Sequence, residues 1–207
     1  MTRILCFGDS NTFGYKPDKS GRFDETIRWT ARLQRMLGDN YQIVEEGLCG
    51  RTSIFEDPQK VGRKGLDLVD VLVESHNPID VFVVMLGTND CKTYYGGTAE
   101  SIAEGLGQVI AKAQRVTRCD MKILVISPIL LGSGVGEIDV DFNEASEEVS
   151  RELAGEYEKL ARKNNFYFLD ASKYADASDT DREHLDEQGH EKLADAIYDK
   201  LIEMLED

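Results

Sequence analysis

A serine hydroxyl is a poor nucleophile until a neighbouring base takes its proton, and that base must be held in the right tautomer by a third group. Residue types fit for this work occur in four short segments: Gly8-Asp9-Ser10-Asn11, Gly50, Gly87-Thr88-Asn89-Asp90 and Asp181-Arg182-Glu183-His184. Ser10 offers a hydroxyl, His184 a base, and Asp181 a carboxylate close enough for one turn to let it orient the imidazole. Asn89 brings a side-chain amide that can donate to an oxyanion, and Gly50 a backbone N–H with no side chain in the way. Each segment alone has a commonplace reading. Asp-Ser-Asn after a strand caps helices, a loop histidine is usually solvated, Asn and Asp form turns, and glycine serves any bend. The weight lies in their joint order along the chain.

The elements that must position them are legible as periodicity. Arg3 to Phe7, Gln42 to Glu46, Val81 to Leu86, Lys122 to Ser127 and Phe166 to Leu169 are short β-branched or aromatic runs that read as five strands. Between them apolar residues recur at helical spacing: Trp29, Leu33, Met36 and Leu37; Ile102, Leu106, Val109, Ala113 and Val116; Phe142, Ala145, Val149, Leu153 and Leu160; Leu193, Ile197, Leu201 and Leu205. Strands alternating with helices predict a doubly wound, five-stranded parallel sheet in a three-layer α/β/α sandwich. Ligands then sit beyond the carboxyl ends of the strands, where strand order reverses. Ser10, Gly50 and Asn89 each follow a predicted strand, so the fold gathers them on one edge. The irregular, Gly-rich stretch Pro128 to Asp141, which carries Ile129, Leu130, Leu131 and Val135, is read as a substrate wall, a subunit contact or plain connection.

The 207 residues suit one domain, 1–207, and carry a formal charge of −15. Phosphate-backbone binding needs clustered Lys and Arg, so nucleic acid and anionic membrane partners are not expected. No apolar run is long enough to span a bilayer and no leader pattern opens the chain, which predicts a cytoplasmic protein. Cys6, Cys49, Cys91 and Cys119 show no CxxC spacing and are expected as reduced thiols. His76, His184 and His190 form no HExxH pattern, so no metal or other cofactor is expected.

With these blocks in view, the chain resembles the SGNH (GDSL-type) hydrolase family over nearly its full length. Ile4-Leu5-Cys6-Phe7-Gly8-Asp9-Ser10, Arg28-Trp29-Thr30, Glu45-Glu46-Gly47-Leu48, Arg51-Thr52 and Met85-Leu86-Gly87-Thr88-Asn89-Asp90 look most like its bacterial arylesterase and acyltransferase branch. The resemblance implies a nucleophile at Ser10, a base at His184 oriented by Asp181, and an oxyanion hole from the Ser10 and Gly50 N–H groups and the Asn89 side chain. It implies a small-molecule ester as substrate and, with the apolar loop, a homo-oligomer. Asn11 stands where the family's first block usually has leucine, and the 128–141 loop is shorter than in the arylesterases.

The expected activity is hydrolysis of short-chain carboxylic esters, acetyl or aryl, through an acyl-Ser10 intermediate, with acyl transfer to alcohols open. A carbohydrate O-acetyl esterase is the alternative. A flavodoxin-like module cradling a phosphate or FMN at Asp9-Ser10-Asn11-Thr12 is a remote one. Phe13, Tyr15, Ile54, Tyr94, Tyr95 and Leu130 are the candidate acyl-pocket residues.

Overall fold

In the computed structural model, which describes residues 1–117 and 120–206, the apolar run Thr2–Gly8 forms β1, next to the edge of a five-stranded sheet. The other strands are β2 (Tyr41–Gly47), β3 (Val81–Met85), β4 (Lys122–Ser127) and β5 (Tyr167–Asp170). All pairings are parallel and the order is β2-β1-β3-β4-β5. The chain steps outward from β1 to β2 and then crosses back over β1 to β3, so strand order reverses between β1 and β3. The ends of those two strands mark the crevice in which an open α/β sheet takes its ligands.

Six helices cover the sheet: α1 (Ser10–Phe13), α2 (Trp29–Leu37), α3 (Gly65–His76), α4 (Ala99–Val116), α5 (Glu144–Asn164) and α6 (Glu187–Glu206). Alternation along β1 splits the core in two. Leu5 and Phe7 join Val69, Val73, Leu106, Ile110 and Tyr157 under α3, α4 and α5, whereas Ile4 and Cys6 join Trp29, Leu33, Leu193 and Ile197 under α2 and α6. Both faces are therefore covered, which is why the inner strands β1, β3 and β4 read as near-continuous apolar runs.

Two helices have no counterpart in the sequence reading. α1 is a single turn, and α3 buries Val69 and Val73 within a stretch whose apolar spacing went unread. The predicted stripe of α5 is also corrected at its start. Phe142 lies ahead of the helix, Asn143 and Ser146 form its capping box, and Ala145 is exposed. The first turns of α5 instead turn polar groups onto the 128–141 loop: Ser150 Oγ accepts the Leu131 N–H at 3.0 Å and Glu147 Oε1 that of Gly134 at 2.7 Å. Of the four cysteines, Cys6, Cys49 and Cys91 are free thiols, and Cys119 lies outside the described residues.

Candidate active site

β1 ends at Gly8, and the chain turns at once into α1 with Ser10 as its first residue. Asp9 caps that turn, its Oδ1 accepting the Asn11 N–H at 3.0 Å. A single helical turn can stand this close to the sheet only because β2 ends in Gly47, where a Cβ would come within 2.2 Å of the Phe13 nitrogen. The carboxyl of Asp9 is buried, which pushes its pKa up to about 7 against the opposing Asn11 bond.

The loop before α6 brings the remaining titratable groups to Ser10. His184 Nε2 lies 2.8 Å from Ser10 Oγ, and His184 Nδ1 lies 2.6 Å from Asp181 Oδ2. Asp181 uses its other oxygen to accept the backbone N–H groups of Glu183 (3.1 Å) and His184 (3.0 Å). Arg182 takes a left-handed conformation, φ 61°, which closes this tight loop. Burial pushes the His184 pKa down, but the Asp181 bond and the charges of Glu183, Asp181 and Asp9 outweigh it and leave the value raised. Burial likewise raises Asp181, and its bonds to His184 reverse that and hold it low. Asp181 and His184 thus favour a charged pair, which suits an imidazole that is to accept a proton in a buried site.

Asn11 couples this loop to the serine turn. Its Oδ1 accepts the Leu185 N–H at 2.9 Å and its Nδ2 donates to the Glu183 carbonyl at 3.3 Å. The amide therefore grips the backbone on both sides of His184. Its own carbonyl accepts the Trp29 Nε1–H at 3.1 Å, which assigns Trp29 to packing. A leucine here would keep the backbone carbonyl bond to Trp29 and lose both side-chain bonds to the His184 loop. The sequence flagged Asn11 as a departure, and its partners explain the residue.

Past β2, Gly50 adopts φ 82° beside the site, and its N–H donates to no group among the described residues. Asn89, past β3, donates from Nδ2 to the Arg51 carbonyl at 3.2 Å, which leaves the second hydrogen of that nitrogen unspent. The Gly50 segment is held from below: Arg51 Nη1 donates to the Gly8 carbonyl at 2.8 Å and to that of Glu46, and Asp90 accepts the Ser53 N–H and hydroxyl. Asp90 is thus a turn anchor, in keeping with its commonplace reading. Because a side-chain amide aimed at developing charge is worth roughly 10²–10³ in kcat, Asn89→Ala should lose turnover by that factor. Steady-state kinetics on p-nitrophenyl acetate checks it, and an unchanged kcat removes Asn89 from the oxyanion role.

A cavity of ≈ 290 Å³ opens above these groups, lined by Ser10, Gly50, Asn89, Asp181 and His184 together with Tyr15, Cys49, Ile138, Asp139, Glu183 and three lysines. Tyr15, whose ring lies 5.0 Å from that of His184, is the one candidate pocket residue found there. The other five are placed elsewhere. Phe13 stacks under Arg22, Ile54 packs against Gly105 of α4, Tyr95 stacks on Phe55 with Tyr94 at its edge, and Leu130 lies on the surface. Proximity to a strand end selected them, but none of the five lines the cavity over Ser10. The 128–141 loop supplies Ile138 and Asp139 to the wall, and Arg182 ties it to the His184 loop through Gly134 O (2.7 Å) and Glu137 Oε2 (2.8 Å).

No group of three or more His, Cys, Asp or Glu suited to a metal occurs among the described residues, and no described helix is long and apolar enough to cross a membrane. A phosphate cradle at Asp9-Ser10-Asn11-Thr12 is disfavoured, since the turn is capped by a buried carboxyl and its hydroxyl faces an imidazole.

A Ser-His-Asp constellation at the reversal point of a doubly wound sheet defines a serine hydrolase of the three-layer α/β/α class. Residues 6–192 match the GDSL-like lipase/acylhydrolase family, and the chain belongs to it. It is a carboxylic ester hydrolase of the SGNH type. Among solved structures it is similar to an aryl esterase of M. smegmatis, at 31% identity over 98% of this chain and 99% of that one with a TM-score of 0.91. It is equally similar to a carbohydrate acetylesterase family member from Sinorhizobium meliloti, at 30% identity over 100% of both chains with a TM-score of 0.93. A second carbohydrate acetylesterase of that organism matches at 32% identity over 99% of this chain and 100% of its own, with a TM-score of 0.91. No curated protein sequence matches at the same stringency.

Proposed function

We propose that residues 1–207 act as one domain that hydrolyses short-chain carboxylic esters through an acyl-Ser10 intermediate. The observation that carries the reading is the continuous relay from Ser10 Oγ through His184 to Asp181, at 2.8 and 2.6 Å. Ser10 Oγ adds to the carbonyl carbon as its proton passes to His184 Nε2. The tetrahedral oxygen is held by the N–H groups of Ser10 and Gly50 and by Asn89 Nδ2. Collapse expels the alcohol, which takes the proton from His184, and the acyl group stays on Ser10. Water then repeats the cycle with His184 as base and frees the acid; an alcohol in place of water makes the step an acyl transfer. No metal or cofactor enters the scheme.

The names of the similar structures support two alcohols, a phenol and a sugar hydroxyl. Charged and polar groups predominate on the cavity wall, which favours the sugar reading as an alternative. Release of acetate from acetylated xylo-oligosaccharides, set against aryl acetates, separates them. A fluorophosphonate probe followed by peptide mapping tests the core of the proposal: labelling should fall on Ser10, and labelling elsewhere overturns it. To the same proposal belong a cytoplasmic location and a homo-oligomer. Ile138 and Val140, exposed on the loop at the cavity mouth, support the second, which sedimentation would check.

The His184 base must be neutral to act. Its pKa is raised, so activity is lost as pH falls through a value above the ordinary ~6.5 of a free histidine. The acid limb of kcat/KM should therefore lie above that value. Glu183→Gln removes a carboxylate 3.8 Å from His184 Nδ1 and should move the limb to lower pH. A limb that stays put in the variant would show that Glu183 does not act on the base.

A further inference from the structure

The chain carries −15, yet three lysines line the cavity over Ser10. One of them is accounted for by packing. Lys92 pairs with Asp141 at 3.1 Å, and its ammonium lies over the rings of Tyr94 and Phe142. Lys19 and Lys60 differ, because neither ammonium has an ion-pair or hydrogen-bond partner among the described residues. Their backbones, by contrast, are firmly held. Lys19 occupies the left-handed position, φ 63°, of a turn in which its N–H donates to the Lys16 carbonyl and the Lys16 N–H to Gly21. Lys60 sits in an Asx turn, where the buried Asp57 accepts the N–H groups of Gln59 (2.7 Å) and Lys60 (3.0 Å).

A further cation lies behind the same wall. The Arg63 side chain passes over Gly50, its Cδ 3.6 Å from where a Cβ would stand, and its Nε is buried without a partner. Burial and the Asp9 charge raise the thiol pKa of Cys49, the residue before Gly50, and Lys60 and Arg63 act on it in the opposite sense, which places both cations near that residue. The lining carboxylates have partners of their own. Asp181 holds His184, Asp139 Oδ1 accepts the Asp141 N–H at 2.9 Å, and Glu183 is buried against His184 with Asp139 and Lys92 acting on it. An uncharged ester would leave both of these exposed ammonium groups at the cavity to water alone, whereas the protein's overall field repels anions.

We propose that the ester taken at this site carries a carboxylate-type anionic group, which seats on Lys19 and Lys60 beside Gly50 while its carbonyl lies over Ser10. This rests on Ser10 being the nucleophile. The anion belongs to either the alcohol or the acyl part of the ester, and substrate pairs distinguish the two. One pair is para-acetoxybenzoate against its methyl ester, with the charge on the alcohol; the other is p-nitrophenyl hydrogen glutarate against p-nitrophenyl butyrate, with the charge on the acyl group.

With the wild-type enzyme, the anionic member of one pair should show about tenfold higher kcat/KM, carried mainly by KM and equal to about 1.4 kcal/mol. The preference should shrink with added salt, because exposed charges are screened beyond about 10 Å at 0.1 M. In Lys19→Gln/Lys60→Gln the ratio of anionic to neutral kcat/KM should fall toward one, and Lys60→Glu should invert it. If the wild type cleaves the neutral esters with no gain for either anion, or if the ratio survives both variants, this inference is overturned and the esterase reading stands. If the neutral esters are not cleaved at all, the esterase reading falls and takes the inference with it.

Discussion

Ser10→Ala will reduce kcat on p-nitrophenyl acetate by on the order of 10⁶, the loss a serine hydrolase suffers when its nucleophile is removed. Rate above the uncatalysed background should persist, by roughly 10³–10⁴, because the oxyanion donors and the cavity remain. The fold should be untouched. The helical turn of α1 depends on backbone bonds, from the N–H groups of Gly14 and Tyr15 to the Ser10 carbonyl, and on the Asp9 cap, none of which uses the hydroxyl. Alanine is at least as good a helix former as serine. The vacated space borders the cavity, so water can replace Oγ beside His184 Nε2. Thermal denaturation should therefore match the wild type within a few degrees while turnover collapses. Near wild-type hydrolysis by the purified variant would refute the assignment of Ser10.

The features that were readable ahead of the structure share one physical property: they are set by local chain chemistry repeated at a regular interval. All five strands lie within a residue or two of the predicted runs: β1, β3 and β4 because strands buried on both faces have to be apolar, the half-buried edge strands β2 and β5 by their β-branched and aromatic residues. The helices α2, α4 and α6 announce their buried faces by spacing alone, except that Met36 of the predicted α2 stripe is exposed. α3 escaped because it follows a long polar stretch and shows only a short stripe, Leu66, Val69 and Val73; scoring that spacing would have found it. The site residues were legible for a different reason. A strand end at the reversal point is a fixed place in this topology, so residues following β1, β2 and β3 converge whatever their side chains do.

Side-chain direction is where the sequence runs out. Phe13, Ile54, Tyr94, Tyr95 and Leu130 were selected by nearness along the chain, and the first four meet other neighbours while Leu130 is exposed, so none lines the cavity. Lys19 and Lys60 reach the cavity from two loops whose turns, one left-handed and one an Asx turn, have no periodic signature. The grip of Asn11 on Glu183 and Leu185 spans most of the chain. No spacing rule exposes such a contact. The only available signal was that an amide stood where a leucine is usual.

Asp181→Asn should lower kcat by about 10⁴ with little change in KM, because it reverses the imidazole rather than removing it. Asp181 Oδ1 faces two backbone donors, the N–H groups of Glu183 and His184, and an amide at this position must keep its oxygen there. Its NH₂ group then faces His184 Nδ1, where Oδ2 lies 2.6 Å away in the wild type. Two donors cannot share that line, so Nδ1 must present its lone pair and the ring proton moves to Nε2. Nε2–H then donates to Ser10 Oγ, and the nitrogen that should take the serine proton already holds one. The loss of the carboxylate also withdraws a charge that raises the His184 pKa, so whatever activity survives should have its acid limb at lower pH than in the wild type. A change of solvent exposure or folding would move KM and thermal stability as well. Low kcat with retained KM belongs to the tautomer, and the displaced limb to the lost charge. An Asn variant with wild-type kcat would show that Asp181 does not set the tautomer, and that His184 is held by the Asn11 grip without it.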